Sequence, residues 1–300
     1  MSVPAARLAA QAKVNLALQV GVRGADGYHD VCTIFARIDL ADDVVVRPLR
    51  SGITLRVMRD GMPDESVGPP EMNLAVLAAR AYIAEAQWPP GCGIDIVKRI
   101  PVRAGLGGGS ANAGRVLRAL DALAARPLGV DRLVRIAAKL GADVPFLTVD
   151  APLALGTGRG DTLELLRPLP ERWVALVIPP FSISTAEAYA WLDTDRARIG
   201  KPRPLDAAAM QAASKDWDTI AAMATNDFQP VVAARHPLIH SYCSVLRDAG
   251  AHLAMMSGSG SAVFGIFGDQ PDLASIARAC DAPALLARIP ARVVAPSGNE

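Results

Sequence analysis

Cysteine is scarce in this chain: four in 300 residues, at Cys32, Cys92, Cys243 and Cys280. No two have a C-x-x-C spacing, so the usual zinc and dithiol signatures are missing, and nothing indicates a disulfide framework. Thiols this scattered predict buried, free cysteines in a reducing compartment. Aromatic residues are only 5% of the chain. An excess of one charge is also missing, since 31 Lys and Arg against 30 Asp and Glu leave a net +1. That balance argues against a general nucleic-acid or membrane-surface binder, while allowing a local basic site. There is no run of about twenty uncharged apolar residues to cross a bilayer. Met1 to Ala10 carry one arginine and no long apolar core, unlike a secretory signal. The expectation is a soluble, cytoplasmic protein with no nucleic-acid or membrane partner.

What the chain does have is a hydrophobic half, 51% by count, enough for one large domain or two ordinary ones. It also has one conspicuous stretch, residues 101–113, Pro-Val-Arg-Ala-Gly-Leu-Gly-Gly-Gly-Ser-Ala-Asn-Ala. An alternating segment, 93–98, precedes it as a strand, and Ala113 to Ala125 follow as a helix with Val116, Leu117, Leu120 and Leu123 on one face. A glycine-rich turn from strand to helix offers unpaired backbone N–H groups and the positive end of a helix dipole to an anion. Gly105, Gly107, Gly108 and Gly109 remove the Cβ atoms that would hold a phosphate off, and Ser110 and Asn112 add polar side chains beside it. The loop is read as a nucleotide phosphate cradle; the competing reading is a flexible connector. It is not a Walker A loop, because no Gly-Lys-Ser/Thr follows, and Ser110 stands where a dinucleotide fingerprint has its third glycine.

The rest of the chain supplies candidates for chemistry. Residues 8–20 alternate as a strand that puts Lys13 and Asn15 on one face and Leu16, Leu18 and Val20 on the other. The two polar groups are either solvated or aimed into a site. Gly24 to Gly27 form a turn followed by Tyr28 and His29, which are either surface residues or readers of a flat ring. Strands are expected over 31–39 and 43–58, and a loop over 59–70. A helix capped or begun by Asn73 runs to about Gln87, and another spans about 131–140, closed by Gly141. Asp143 follows among small and apolar residues, either as a helix cap or as a working base. Residues 151–166 read as a hairpin, with a domain boundary within 156–172 and a strand over 174–178. Helices are expected near 185–193, 205–213, 217–227, 237–249 and 271–279, and strands at 253–256, 262–267 and 292–295. Ser257 to Ser261 are either a plain hairpin turn or a second functional loop. The fold class is α+β in two lobes, 1–160 and 161–300.

Taken together, five stretches resemble the GHMP small-molecule kinases: Ala12-Lys13-Val14-Asn15-Leu16, Asp26-Gly27-Tyr28-His29, the loop from Pro101 to Ala113, Gly141-Ala142-Asp143-Val144-Pro145, and Met256-Ser257-Gly258-Ser259-Gly260. The resemblance spans about residues 10–270. The Lys13/Asn15 strand, the Asp-Gly-Tyr-His turn and the Gly-Ala-Asp-Val-Pro segment make it most similar to the branch acting on 4-diphosphocytidyl-2-C-methyl-D-erythritol. It implies a GHMP-kinase-like fold, with an N-terminal α/β domain binding the nucleotide and a C-terminal α+β domain completing the substrate site. It implies ATP with Mg²⁺, and Lys13 and Asp143 as the catalytic pair. The ATP phosphate loop would be Pro101, Val102, Arg103, Ala104, Gly105, Leu106, Gly107, Gly108, Gly109, Ser110 and Ala111, with Asn73 and Lys98 near the nucleotide. Tyr28 and His29 would hold the cytosine with Tyr189 stacking from the other side, and Asn15 and Thr185 would meet the polar diphosphate-methylerythritol part. No protein group stands out as a dedicated metal site. Two departures show: Arg103 sits where a small residue is common, and Ser259 and Ser261 where Thr and Ala are frequent.

Overall fold

The computed structural model describes residues 4–86, 88, 91–199 and 204–293. Its spine is an antiparallel ribbon of two long strands, β1 (Ala6–Arg23) and β2 (His29–Leu49). The first part of β2 also pairs with β6 (Leu153–Thr157), and its last part with β5 (Gly91–Val97). β3 (Gly52–Arg59), the short β4 (Met62–Pro63) and β7 (Thr162–Leu165) complete a seven-stranded sheet. Four helices cover one face: α1 (Leu74–Glu85), α2 (Gly108–Leu123), α3 (Val130–Ala138) and α4 (Val144–Thr148). A second, four-stranded antiparallel sheet runs β11-β8-β10-β9, from β8 (Arg172–Val177), β9 (Leu253–Met256), β10 (Val263–Phe267) and β11 (Ala284–Ile289). Around it lie α5 (Thr185–Ile199), α6 (Ala207–Ala213), α7 (Trp217–Met223), α8 (Phe228–Ala233), α9 (Leu238–Asp248) and α10 (Leu273–Cys280).

Strand alternation explains how the layers join. Val174 and Leu176 of β8 pack with Leu16, Ile34 and Ile38 of the ribbon, while Ala175 and Val177 turn to the helices beside Ile239 and Cys243. The ribbon is thus covered on both faces, and most of its centre is buried. The four cysteines are free and buried, and burial raises their thiols, as their spacing suggests.

Several boundaries differ from the sequence expectation. The two strands placed over 31–39 and 43–58 are cut elsewhere: β2 runs unbroken through Asp42, and the break falls before Gly52. Asp42, which falls between the two expected strands, is buried and hydrogen-bonded inside β2. α2 starts at Gly108 rather than Ala113, because glycine's poor helix propensity matters little in a first turn whose amides lack partners anyway. Gly141 is not a left-handed cap; α3 ends two residues earlier than expected, at Ala138, with Lys139 still helical at its C-cap. β7 belongs to the first sheet, so a cut at 160 would split the β6–β7 hairpin. The helix expected over 217–227 is α7, which stops at Met223, and a further helix, α8, begins at Phe228. The last described strand is Ala284–Ile289, hidden by its helix-forming Ala and Leu and fixed by pairing with β8; the strand expected at 292–295 runs out of the described residues. The far end of the first expected helix, at Gln87, also lies outside them.

Candidate active site

The cradle is assembled from its base upward. Asp42 is wholly buried and takes four donors: Lys98 Nζ in a short ion pair, Asn112 Nδ2 at 2.9 Å, and the backbone amides of Arg99 at 2.7 Å and Ile100 at 2.9 Å. These bonds fix the chain just ahead of Pro101. Asn112 is held by Asp42 and by Lys98, whose Nζ donates to its Oδ1 at 3.2 Å, and both side chains line the cavity. Gly107 (φ 71°) is the N-cap of α2 and supplies no capping side chain, so the first amides of α2 are left for a ligand. Clearance for an anion is not what Gly105 requires. At φ 75°, a Cβ there would fall 2.2 Å from the Ser257 carbonyl oxygen. Ser257 Oγ donates back to the Gly105 carbonyl at 3.0 Å, and Ala262 N to the Ala104 carbonyl at 3.1 Å. The second Gly/Ser loop is therefore a β9–β10 hairpin turn and also a clamp on the first. Only at Gly109 is the space largely open: a Cβ there would meet the Leu74 side chain at 3.8 Å and nothing nearer.

Lys13 meets this cradle from β1. Its amide donates to the Leu106 carbonyl at 3.0 Å, tying strand to loop. Its Nζ donates to Asn15 Oδ1 at 2.7 Å and lies 3.3 Å from Asp143 Oδ2. Asn15 Nδ2 donates to Thr33 Oγ1 at 2.8 Å, and that hydroxyl to the Ala17 carbonyl at 2.7 Å, so Asn15 can turn only its oxygen to the lysine. Lys13 is 3% exposed. Asp143 stands at the cap position of α4 but makes no capping bond; its carboxylate faces Lys13 instead. Of the two readings of Asp143, the cap is set aside by this geometry. Arg37, directly across the ribbon from Lys13, is wholly buried and donates to the Phe146, Val149 and Ala151 carbonyls, closing the far end of α4. Burial lowers its guanidinium to about 9, so it remains charged at neutral pH.

A cavity of about 820 Å³ joins these groups. Asn73 lines one side, where its side chain also caps α1 through the Ala75 amide at 3.0 Å. Thr185, 3.2 Å from Ser259 across the hydroxyls, and Tyr189 line the other. Burial, with Asp143 nearby, pushes the Tyr189 phenol up to about 12, so it stays protonated at neutral pH. His29 and Tyr28 do not line this cavity. His29 is buried, 2.7 Å from Asp193, and stacks directly on Tyr189 with centroids 4.7 Å apart, which leaves no room for a flat ring between those two. Tyr28 is exposed, and the Arg159 guanidinium lies 3.8 Å over its ring centre.

Residues 73–150 match the family described as GHMP kinases N terminal domain, and residues 207–284 match GHMP kinases C terminal. The chain belongs to the GHMP kinase family. It is similar to the 4-diphosphocytidyl-2-C-methyl-D-erythritol kinase of Geobacter sp. (strain M21), 40% identical over 265 residues, covering 88% of this chain and 90% of the relative. It is also similar to the enzyme of the same name from Moorella thermoacetica, 40% identical over 263 residues, 87% and 90% of the two chains. A crystal structure of 4-(cytidine 5'-diphospho)-2C-methyl-D-erythritol kinase superposes with a TM-score of 0.73 at 32% identity, covering 94% of this chain and 98% of the other. Homoserine kinase from Cytophaga hutchinsonii, TM-score 0.70 at 16% identity, covers 98% of this chain and 97% of its own and shares the fold.

Within this GHMP kinase, the expected site residues Lys13, Asn15, Asn73, Lys98, Pro101 to Ser110, Asp143, Thr185 and Tyr189 line one cavity, whereas Ala111, also expected in the phosphate loop, is buried in α2 and does not line it. Sequence reasoning missed Thr33, Asp42 and Arg159. An aspartate pair, Asp42-Asp43, inside an otherwise apolar run was the available signal for Asp42. Thr33 and Arg159 gave none, because their partners are set by strand register and loop path.

Proposed function

We propose that this kinase transfers the γ-phosphoryl group of ATP to the 2-hydroxyl of 4-diphosphocytidyl-2-C-methyl-D-erythritol, in the cytoplasm, as a step of isoprenoid precursor synthesis by the methylerythritol phosphate route. The observation that carries the chemistry is the Lys13–Asp143 pair at 3.3 Å, set beside the open amides of α2 in one cavity. The acceptor's identity is supported by relatives at 40% identity that bear that name. Phosphoryl transfer is mostly positioning and charge neutralisation. The amides of Gly107 to Ser110 hold the β- and γ-phosphates, with Asn73 and Lys98 toward the nucleoside. Asp143 takes the hydroxyl proton as the acceptor oxygen bonds to phosphorus and the bond to the ADP oxygen breaks. Lys13 offsets charge on Asp143 and on the transferring group. Asn15 and Thr185 meet the diphosphate-methylerythritol part. The cytosine lies against Tyr189, backed by His29, and Tyr28 joins once Arg159 lifts from its ring. The first lobe carries the nucleotide and both catalytic groups, and the second completes the acceptor site.

Asp143 is the one carboxylate lining the cavity among the described residues, and no cluster of three His, Cys, Asp or Glu forms among them. This donor set suits magnesium, which takes one or two carboxylates, fills the remainder with phosphate oxygens and water, and needs no protein cage. Ser110 and Asp143 would hold the ion with the nucleotide's phosphates. When bound, it neutralises charge on the β- and γ-oxygens.

The test is a coupled ADP-release assay on a panel of 4-diphosphocytidyl-2-C-methyl-D-erythritol, homoserine and mevalonate. Turnover with the cytidyl acceptor alone is expected. Turnover with homoserine or mevalonate instead would move the chain to another branch of the family, and ATP binding without turnover on any acceptor would make it a non-catalytic nucleotide binder.

A further inference from the structure

Four cations line the cavity among the described residues: Lys13, Lys98, Arg103 and Arg159. Three are already matched by carboxylates. Lys13 faces Asp143, Lys98 is bonded to buried Asp42, and Arg159 pairs with Asp26 at 2.8 Å. Arg103 is different. It is exposed and has no hydrogen bond, ion pair or ring contact among the described residues. Its backbone is also unusual, at φ 56°, a left-handed conformation that arginine seldom adopts. It sits inside the anion cradle, two residues before Gly105, where a glycine would meet the backbone demand without strain. A strained backbone that carries an unmatched cation into a ligand site is an observation from which function can be inferred.

We propose that Arg103 is a further binding residue for the nucleotide, its guanidinium engaging the polyphosphate chain in addition to the amides of α2. The inference rests on the reading of the loop as an ATP site. Its physical basis is charge. A nucleoside triphosphate brings several negative charges into a cavity whose lysines are neutralised by carboxylates. Backbone amides and a helix dipole supply only partial charges. A guanidinium free of other partners supplies a full one, with donors spaced to fit phosphate oxygens.

The experiment is calorimetric titration of the full-length protein with ATP and with AMP, magnesium present and no acceptor added, at low and high salt. The proteins are wild type and the variants Arg103→Ala, Arg103→Lys and Arg103→Gly. Arg103→Ala should weaken ATP binding about tenfold, leave AMP binding nearly unchanged, and flatten the salt dependence of ATP affinity. Arg103→Gly relaxes the backbone yet should lose ATP affinity as Arg103→Ala does, and Arg103→Lys should recover part of it. Arg103→Ala binding ATP like wild type, or losing ATP and AMP equally, overturns the proposal; equal loss would mean a disturbed loop. Wild type failing to bind ATP at all would defeat the functional reading itself, a result distinct from either of these.

Discussion

Asp143 illustrates how much a single residue's neighbours decide. Its position before α4 is that of a helix cap, yet the carboxylate turns to a buried lysine whose other contact, Asn15, is itself held by Thr33. Behind α4 a second carboxylate, Asp150, receives Arg115 and Arg118 at 2.7 Å each and so ties α2 to the segment leaving α4. Burial pushes the Asp150 carboxyl up, but hydrogen bonding and charge from Arg115, with Arg118 and Arg37 behind, carry it net below the ordinary carboxylate range. A carboxyl lowered on folding stabilises the folded state fully above its unfolded pKa of about 3.9, and that contribution fades as pH falls through the lower folded value. Asp150→Asn should therefore lower the melting temperature at pH 7 and cost progressively less as the solution is acidified below about pH 4. Thermal melts across that range check it, and a gap between variant and wild type that widened in acid would contradict it. The residues whose partners lie close in sequence or on one strand face, Lys13 with Asn15 and Asn73 with Ala75, were legible from sequence. Arg37, Asp42 and Thr33 were not, because their partners come from distant segments.

Among elements, α2 and its leading loop do most to shape the site. The sequence pattern located the strand–glycine–helix succession, but it explained the glycines by the ligand alone. Gly105 is instead dictated by its φ and by the hairpin turn between β9 and β10, whose Ser257 carbonyl occupies the space of a Cβ. Gly105→Ala should force the two loops apart and cost on the order of 2 kcal/mol or more, with weaker ATP binding as the companion effect. Denaturant melts and an ATP titration measure both; unchanged stability would show that the two loops are not clamped together. The same contact explains why the turn's role could not be read beforehand: Ser257 and Gly105 are 152 positions apart in the chain. Elements recognised by strong periodicity, such as β1 and α3, were legible. β11 was not, since its Ala and Leu favour a helix until pairing with β8 decides otherwise.

At the scale of the whole molecule, the β1–β2 ribbon is the shared wall. One part of it meets the helices of the first lobe and another the second sheet, so Lys13 on β1, Asp143 ahead of α4 and the Gly258 backbone from the second lobe converge without any of them being neighbours in sequence. The two-lobed α+β architecture was readable from the order of strands and helices, while the convergence itself was only implied by family resemblance. That convergence is the centre of the account, and one comparison tests it most directly: ADP release with 4-diphosphocytidyl-2-C-methyl-D-erythritol by wild type and by Asp143→Asn, with ATP binding measured on both proteins. The account predicts a rate loss of roughly 10²–10⁴ in the variant, with ATP affinity little changed. A variant that turned over the acceptor as fast as wild type would contradict it.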